Sequence, residues 1–143
     1  MAGETIVERE VFIAAAPETV FEFFRDPARM ALWIGRGHVL DARPGGQFRV
    51  EVSDGNIASG VFALVDPPRR LAFTWGWETQ NFTGLELPPG ASLVEVELEP
   101  RDGGTLVRLR HSRLPDTMGD KHRRRWDGYL ARLTAAAQGV RGR

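Results

Sequence analysis

Three histidines, four serines, three glutamates at alternate positions and one arginine run are the side chains with the chemistry to act in this sequence. His111 leads them. An imidazole titrates near neutral pH, so a buried histidine can orient a ligand or shuttle a proton. A hydrogen-bonded histidine at the end of a sheet is the plainer reading, and pocket lining is the functional role expected of it. His38 follows Gly35-Arg36-Gly37 and is expected to be exposed or near a cavity mouth, while His122 precedes Trp126 by four residues at a helix entrance. Positions 38, 111 and 122 match no metal-ligand spacing, and the chain has no cysteine, so no metal or other cofactor is expected.

The remaining candidates reduce to structure. None of Ser53, Ser59, Ser92 or Ser112 lies in a Gly-x-Ser-x-Gly elbow, and Gly45-Gly46 and Gly103-Gly104 are turn glycines, not phosphate loops. Glu95, Glu97 and Glu99 alternate along a strand and so share its outer face. Arg123-Arg124-Arg125 spread over more than half of a helix circumference and are diluted by Asp120 and Asp127, so no nucleic-acid surface is expected.

The elements that must position these residues follow from periodicity. Residues 5–13 read as a strand, with Val7, Val11 and Ile13 on one parity. Pro17 opens a first helix carrying Val20, Phe21 and Phe24; Asp26-Pro27 opens a second whose buried side is Met30, Trp33 and Ile34. From His38 to Ser112 the chain is strands and turns. Phe48, Val50 and Val52 alternate with polar residues, and Asp54-Gly55 marks a hairpin. Leu71, Phe73, Trp75 and Trp77 then recur at period two, placing three large aromatics on one face. Residues 78–90 form a long connection with little periodicity.

The last hairpin carries a check on its own register. With Asp102-Gly103 at the turn, Glu97 faces Arg108 and Glu95 faces Arg110 on one side. Leu98 faces Val107, Val96 faces Leu109 and Val94 faces His111 on the other, which turns His111 inward. A slip of one residue destroys both patterns. A helix over about 118–138 follows, with His122, Trp126, Tyr129, Leu130, Leu133 and Ala137 along one stripe. The order is strand, two short helices, about six strands and a long amphipathic helix, an α+β arrangement in which only the last helix can cover the curled sheet.

A length of 143 residues with 42% hydrophobic and 27% charged side chains is that of one globular domain, residues 1–143. No apolar run reaches the roughly 18 residues of a membrane span, and residues 1–15 lack a signal-peptide plan, so a cytoplasmic protein is expected. Net charge is zero, but residues 1–100 carry −7 and residues 101–143 carry +7. The two halves are expected to face each other within the fold. Strand edges and this asymmetry also permit a homodimer.

Several segments together resemble the activator-of-heat-shock-protein-90-ATPase-like family of the START-like (SRPBCC) superfamily. They are Ala15-Ala16-Pro17-Glu18-Thr19-Val20-Phe21, Trp33, Arg43-Pro44-Gly45-Gly46-Gln47-Phe48, Gly60, Val65-Asp66-Pro67-Pro68-Arg69-Arg70-Leu71, Phe73-Thr74-Trp75, and the stretch from Thr105 to Ser112. The family's usual Gly-Trp pair in the terminal helix is Arg125-Trp126 here. The resemblance implies a helix-grip fold: a curved antiparallel sheet of about seven strands around a long C-terminal helix, with a deep cavity between them. It further implies that Trp33, Phe48, Phe73, Trp75, Trp77, His111, Trp126 and Leu130 line the cavity. Non-enzymatic binding of a small hydrophobic or amphipathic molecule is then the leading expectation, with residues 78–90 as the gate. A cochaperone-like regulator of a chaperone ATPase is the alternative. A polyketide cyclase or aromatase-like enzyme comes third, with His111 as acid–base group and Tyr129 or Arg125 in support.

Overall fold

The computed structural model describes residues 3–78 and 87–141. Most of the connection expected to act as a gate, residues 79–86, lies outside the described residues, as does the His38 side chain. Seven strands form one antiparallel sheet: β1 (Glu4–Ile13), β2 (Arg36–Leu40), β3 (Gln47–Ser53), β4 (Asn56–Asp66), β5 (Arg70–Trp77), β6 (Ser92–Arg101) and β7 (Gly104–Pro115). Helices α1 (Pro17–Arg25) and α2 (Pro27–Met30) follow β1, and a single 3-10 turn (Asp116–Met118) leads into α3 (Gly119–Arg141). The strand order is β1-β7-β6-β5-β4-β3-β2. Each neighbour pair is antiparallel, and the sheet with α3 on its inner face is the helix-grip arrangement that the family resemblance implies.

The β6–β7 register is the one read from the sequence: Leu98 pairs with Val107, Val96 with Leu109, Val94 with His111, Glu97 with Arg108 and Glu95 with Arg110. The tertiary structure extends the charge pattern over neighbouring strands. One row across the outer face runs Glu10, Arg108, Glu97, Arg70, and the next runs Glu8, Arg110, Glu95. Arg108 draws in three acids, with contacts of 2.9 Å to Glu10, 2.6 Å to Glu99 and 3.9 Å to Glu97. Such half-exposed pairs contribute little stability one by one. Their place in the structure is to oppose a one-residue slip, which would face Glu97 with Val107 or Leu109, and they join acidic strands of the first hundred residues to the basic final segment.

Helix α2 is shorter than its apolar spacing predicts. It ends at Met30, whose carbonyl accepts from the backbone N–H groups of Trp33, Ile34 and Gly35, so the chain unwinds into a turn. Trp33 is nonetheless buried, because its Nε1–H donates to Phe23 O at 2.8 Å and its ring meets Phe24 edge-on at 4.8 Å. The turn is needed where Gly35 passes the β3 backbone: a Cβ there would lie 2.2 Å from Glu51 O.

Near its end β7 breaks parity. Thr105, Val107, Leu109 and His111 are buried at alternate positions, but the next buried residue is Leu114. Arg113 adopts φ 63, and the β1–β7 register shifts across the same place. This bulge turns the strand inward after His111 and starts the 3-10 turn that launches α3.

The core is an aromatic file between sheet and helices. Phe48 stacks on Phe73 at 4.3 Å, Trp75 meets Trp77 at 5.4 Å, and Trp75 meets Trp126 of α3 at 5.9 Å. The α3 stripe is buried as its spacing requires, from His122 through Trp126, Tyr129, Leu130 and Leu133 to Ala137. Gly76 sits between two tryptophans of β5 where the backbone of residues 88–89 crosses, and an added Cβ would lie 1.7 Å from Pro88 O. Gly76→Ala is therefore expected to cost about 1–3 kcal/mol in urea unfolding. Gly139→Ala on α3, where a Cβ meets nothing within 4 Å, should stabilise by about 0.5–1 kcal/mol.

Candidate functional site

Four elements converge on His111. β7 delivers its ring, β6 delivers Ser92, β5 delivers the carbonyl of Trp75 and α3 delivers Trp126. The indole Nε1–H of Trp126 donates to His111 Nδ1 at 2.9 Å. An indole nitrogen can only donate, so Nδ1 is the unprotonated nitrogen and Nε2 carries the hydrogen of the neutral ring. Nε2–H then donates to Ser92 Oγ at 2.7 Å, and Ser92 Oγ–H donates to Trp75 O at 2.6 Å. The chain of donors runs one way from helix to sheet. Burial, and after it the proximity of His122, hold the His111 pKa well below the ordinary imidazole range. A second proton on Nδ1 would point at the Trp126 N–H. The ring is thus held neutral with both nitrogens engaged, an arrangement suited to fixing the helix on the sheet and not to proton transfer.

His122 differs. Its Nδ1–H donates to Met118 O at 2.9 Å, one turn back, which leaves Nε2 as a lone-pair acceptor. That atom is buried and, among the described residues, has no hydrogen-bond partner. Trp75 Nε1, a donor on a fully buried ring, has none either. The two rings share their surroundings. His122 lies 6.2 Å from Trp77 and 5.3 Å from His111, and Trp75 lies 5.4 and 6.0 Å from the same two rings. Arg125 stacks over Trp77 at 4.9 Å and reaches within 3.5 Å of the Tyr129 hydroxyl. Burial, followed by the charges of Arg125 and Lys121, lowers the His122 pKa to about 4 against the opposing Met118 bond. Burial raises that of Tyr129.

Of the residues expected to line a cavity, Phe48, Phe73, Trp75, Trp77, His111 and Trp126 form one continuous set of ring contacts. Leu130 is buried on the same stripe of α3. Trp33 stands on the helical side, its ring against Phe24 and its carbonyl accepting from Arg132 Nε at 3.0 Å. The sequence motifs give Ser92 no role, since it lies in no nucleophile elbow. Its signal was parity, since it shares the inward face with Val94, Val96 and Leu98 and so had to be buried with a partner. The unpaired atoms of Trp75 and His122 had no sequence signal, because they depend on how two rings are turned.

Other features carry less. A depression of about 630 Å³ lies on the opposite, outer face of the sheet, lined by Glu8, Glu10, Glu95, Arg108 and Arg110 among others, whose charges answer one another across the strands. Among the described residues no group of three or more His, Asp or Glu could hold a metal, and no helix is long and apolar enough to cross a membrane. Arg123 pairs with Asp120 and Arg125 covers Trp77, so the arginine run is divided among separate duties.

Residues 14–138 match the family described as Activator of Hsp90 ATPase homolog 1-like protein. The chain belongs to this family. An AHSA1-like protein from Rhizobium etli, solved in solution, is 40% identical with a TM-score of 0.71, over 94% of this chain and 82% of that one. A protein from Mesorhizobium loti shares the fold at a TM-score of 0.83 and 20% identity, over 94% and 97% of the two chains. An Aha1 dimer from Colwellia psychrerythraea shares it at 0.73 and 17%, over 93% and 96%. No curated protein matches the sequence. Within this AHSA1-like domain, Arg125 stands where the resemblance places glycine, and its side chain lies along Trp77.

The buried imidazoles set a pH dependence. Folded His122 stays neutral down to about pH 4, whereas the unfolded chain takes up the same proton near 6.5. Between those values the unfolded state binds more protons, so stability is complete above pH 6.5 and falls as pH drops. The slope from this residue is at most about 1.4 kcal/mol per pH unit. His122→Gln should flatten urea-unfolding stability between pH 6.5 and 4 relative to the parent; an unchanged slope would refute the assignment.

Proposed function

We propose that this AHSA1-like domain binds a small hydrophobic or amphipathic molecule between the inner face of β5–β7 and α3, and performs no chemistry on it. One observation carries the reading: two buried hydrogen-bonding atoms, Trp75 Nε1 and His122 Nε2, lie among aromatic rings with no partner from the described residues. Leaving such a group unpaired costs about 1–3 kcal/mol, so each of the two calls for a partner. Wide apolar surroundings with a few oriented polar groups are the usual make-up of a small-molecule site. The neutral, doubly bonded His111 supports binding over acid–base catalysis.

The family's description supplies a second reading, stimulation of a chaperone ATPase through a protein surface. ATP turnover by a purified chaperone of that type, unchanged on adding the domain, would dispose of it. For the binding reading, the freshly purified protein is expected to show, by native mass spectrometry, a reproducible mass excess over its denatured mass. Trp75→Ala and Trp126→Ala should lose that excess, while Glu97→Ala on the outer face should keep it. Retention of the excess by all three variants would place the ligand elsewhere.

A further inference from the structure

The two unpartnered atoms are of opposite kinds, and this limits what satisfies them. Trp75 Nε1–H can only donate. His122 Nε2 can only accept, because the Met118 carbonyl one turn earlier holds the ring's hydrogen on Nδ1. Resting on the binding reading above, we infer that the site selects an uncharged alcohol or phenol, whose polar end offers an acceptor to Trp75 Nε1 and a donor to His122 Nε2. Its apolar body lies against the aromatic wall of Trp75, Trp77 and Trp126.

Competing classes each fail at one atom. A carboxylate brings only acceptors, so its lone pairs face that of His122, and it carries the cost of removing an anion from water into an aromatic enclosure. Arg125 does not reverse this, being engaged over the Trp77 face and beside the Tyr129 hydroxyl. An ammonium brings only donors and opposes the Trp75 N–H. An ether or simple ketone serves Trp75 and leaves His122 unpaired. A water molecule has the right polarity, but it leaves the aromatic wall without a ligand body and gives no preference among apolar probes.

The test is a panel of bicyclic probes of one size: 2-naphthol, 2-methoxynaphthalene, naphthalene and 2-naphthoate, titrated at pH 7 against the intact protein. 2-Naphthol is expected to bind about tenfold or more tightly than each of the others, the scale of a buried group left unpaired. Trp75→Phe keeps an aromatic ring and removes the N–H, so the preference for 2-naphthol over 2-methoxynaphthalene should collapse towards one. In the parent protein the Trp75 indole N–H resonance should move on saturation with 2-naphthol. Those of Trp33 and Trp126, already bonded to Phe23 O and His111, should stay near their free positions. Equal affinity for 2-naphthol, 2-methoxynaphthalene and naphthalene would overturn the hydroxyl assignment while leaving the binding reading intact. Tighter binding of 2-naphthoate, or an unmoved Trp75 resonance, would overturn it as well. Failure of every probe to bind would remove the binding reading and this inference together.

Discussion

Strand β5 offers the sheet's inner face three large aromatics in five residues, Phe73, Trp75 and Trp77, and that surface cannot be left to water. A fully buried side chain of this size contributes on the order of 2–3 kcal/mol. Among the described elements only α3 has the length to cover such a wall, and its stripe from His122 to Ala137 is buried against it. The contact of Trp126 with Trp75 at 5.9 Å is the centre of the seam. Apolar contact alone would let the helix rotate or slide by a few degrees or a fraction of a turn. The bond from Trp126 Nε1 to His111 Nδ1 removes that freedom, because it has one geometry and lies where water does not compete.

The same bond organises the sheet beneath it. His111 passes the constraint to Ser92, and Ser92 passes it to the β5 backbone at Trp75, so three adjacent strands and the helix share one directed chain of donors. Each polar atom in it is paired, which is the condition for a buried network to specify a fold and not burden it. The outer face solves its own problem by other means. Rows of alternating acid and arginine, each half-exposed, add little stability, yet a one-residue slip would set Glu97 and Glu10 opposite Val107 or Leu109 in place of Arg108. Inside, direction comes from hydrogen bonds; outside, from charge order.

Against that fully paired network, the neighbouring rings of Trp75 and His122 stand out. The carbonyl of Trp75 closes the chain of donors while its indole N–H finds no acceptor among the described residues. His122 spends one nitrogen on Met118 and none on a second partner. Membership of the AHSA1-like family accounts for the sheet, the helix and their crossing. The polarity of these two atoms, and the arginine laid over Trp77, belong to this chain's own side chains, and they are what the functional reading is built on.

Much of this was legible in the sequence because it depends on local periodicity. The Asp102-Gly103 turn, the pairing of Val94 with His111, the aromatic run of β5 and the stripe of α3 all follow from period-two or period-3.6 spacing, which a strand or helix translates directly into a face. Spacing predicts a longer α2 than the structure has, because Met30, Trp33 and Ile34 keep helical spacing in a turn. The backbone there must swing past Glu51, a contact 15 or more residues away in sequence. The β7 bulge at Arg113 was equally hidden, since no residue type demands it. Burial of His111 was determined by its parity; its tautomer, its partners and its neutrality were decided only when Trp126, Ser92 and Trp75 met around it. Which nitrogen of a ring faces a partner depends on side-chain rotation within a packed core, and no spacing along the chain encodes a rotation.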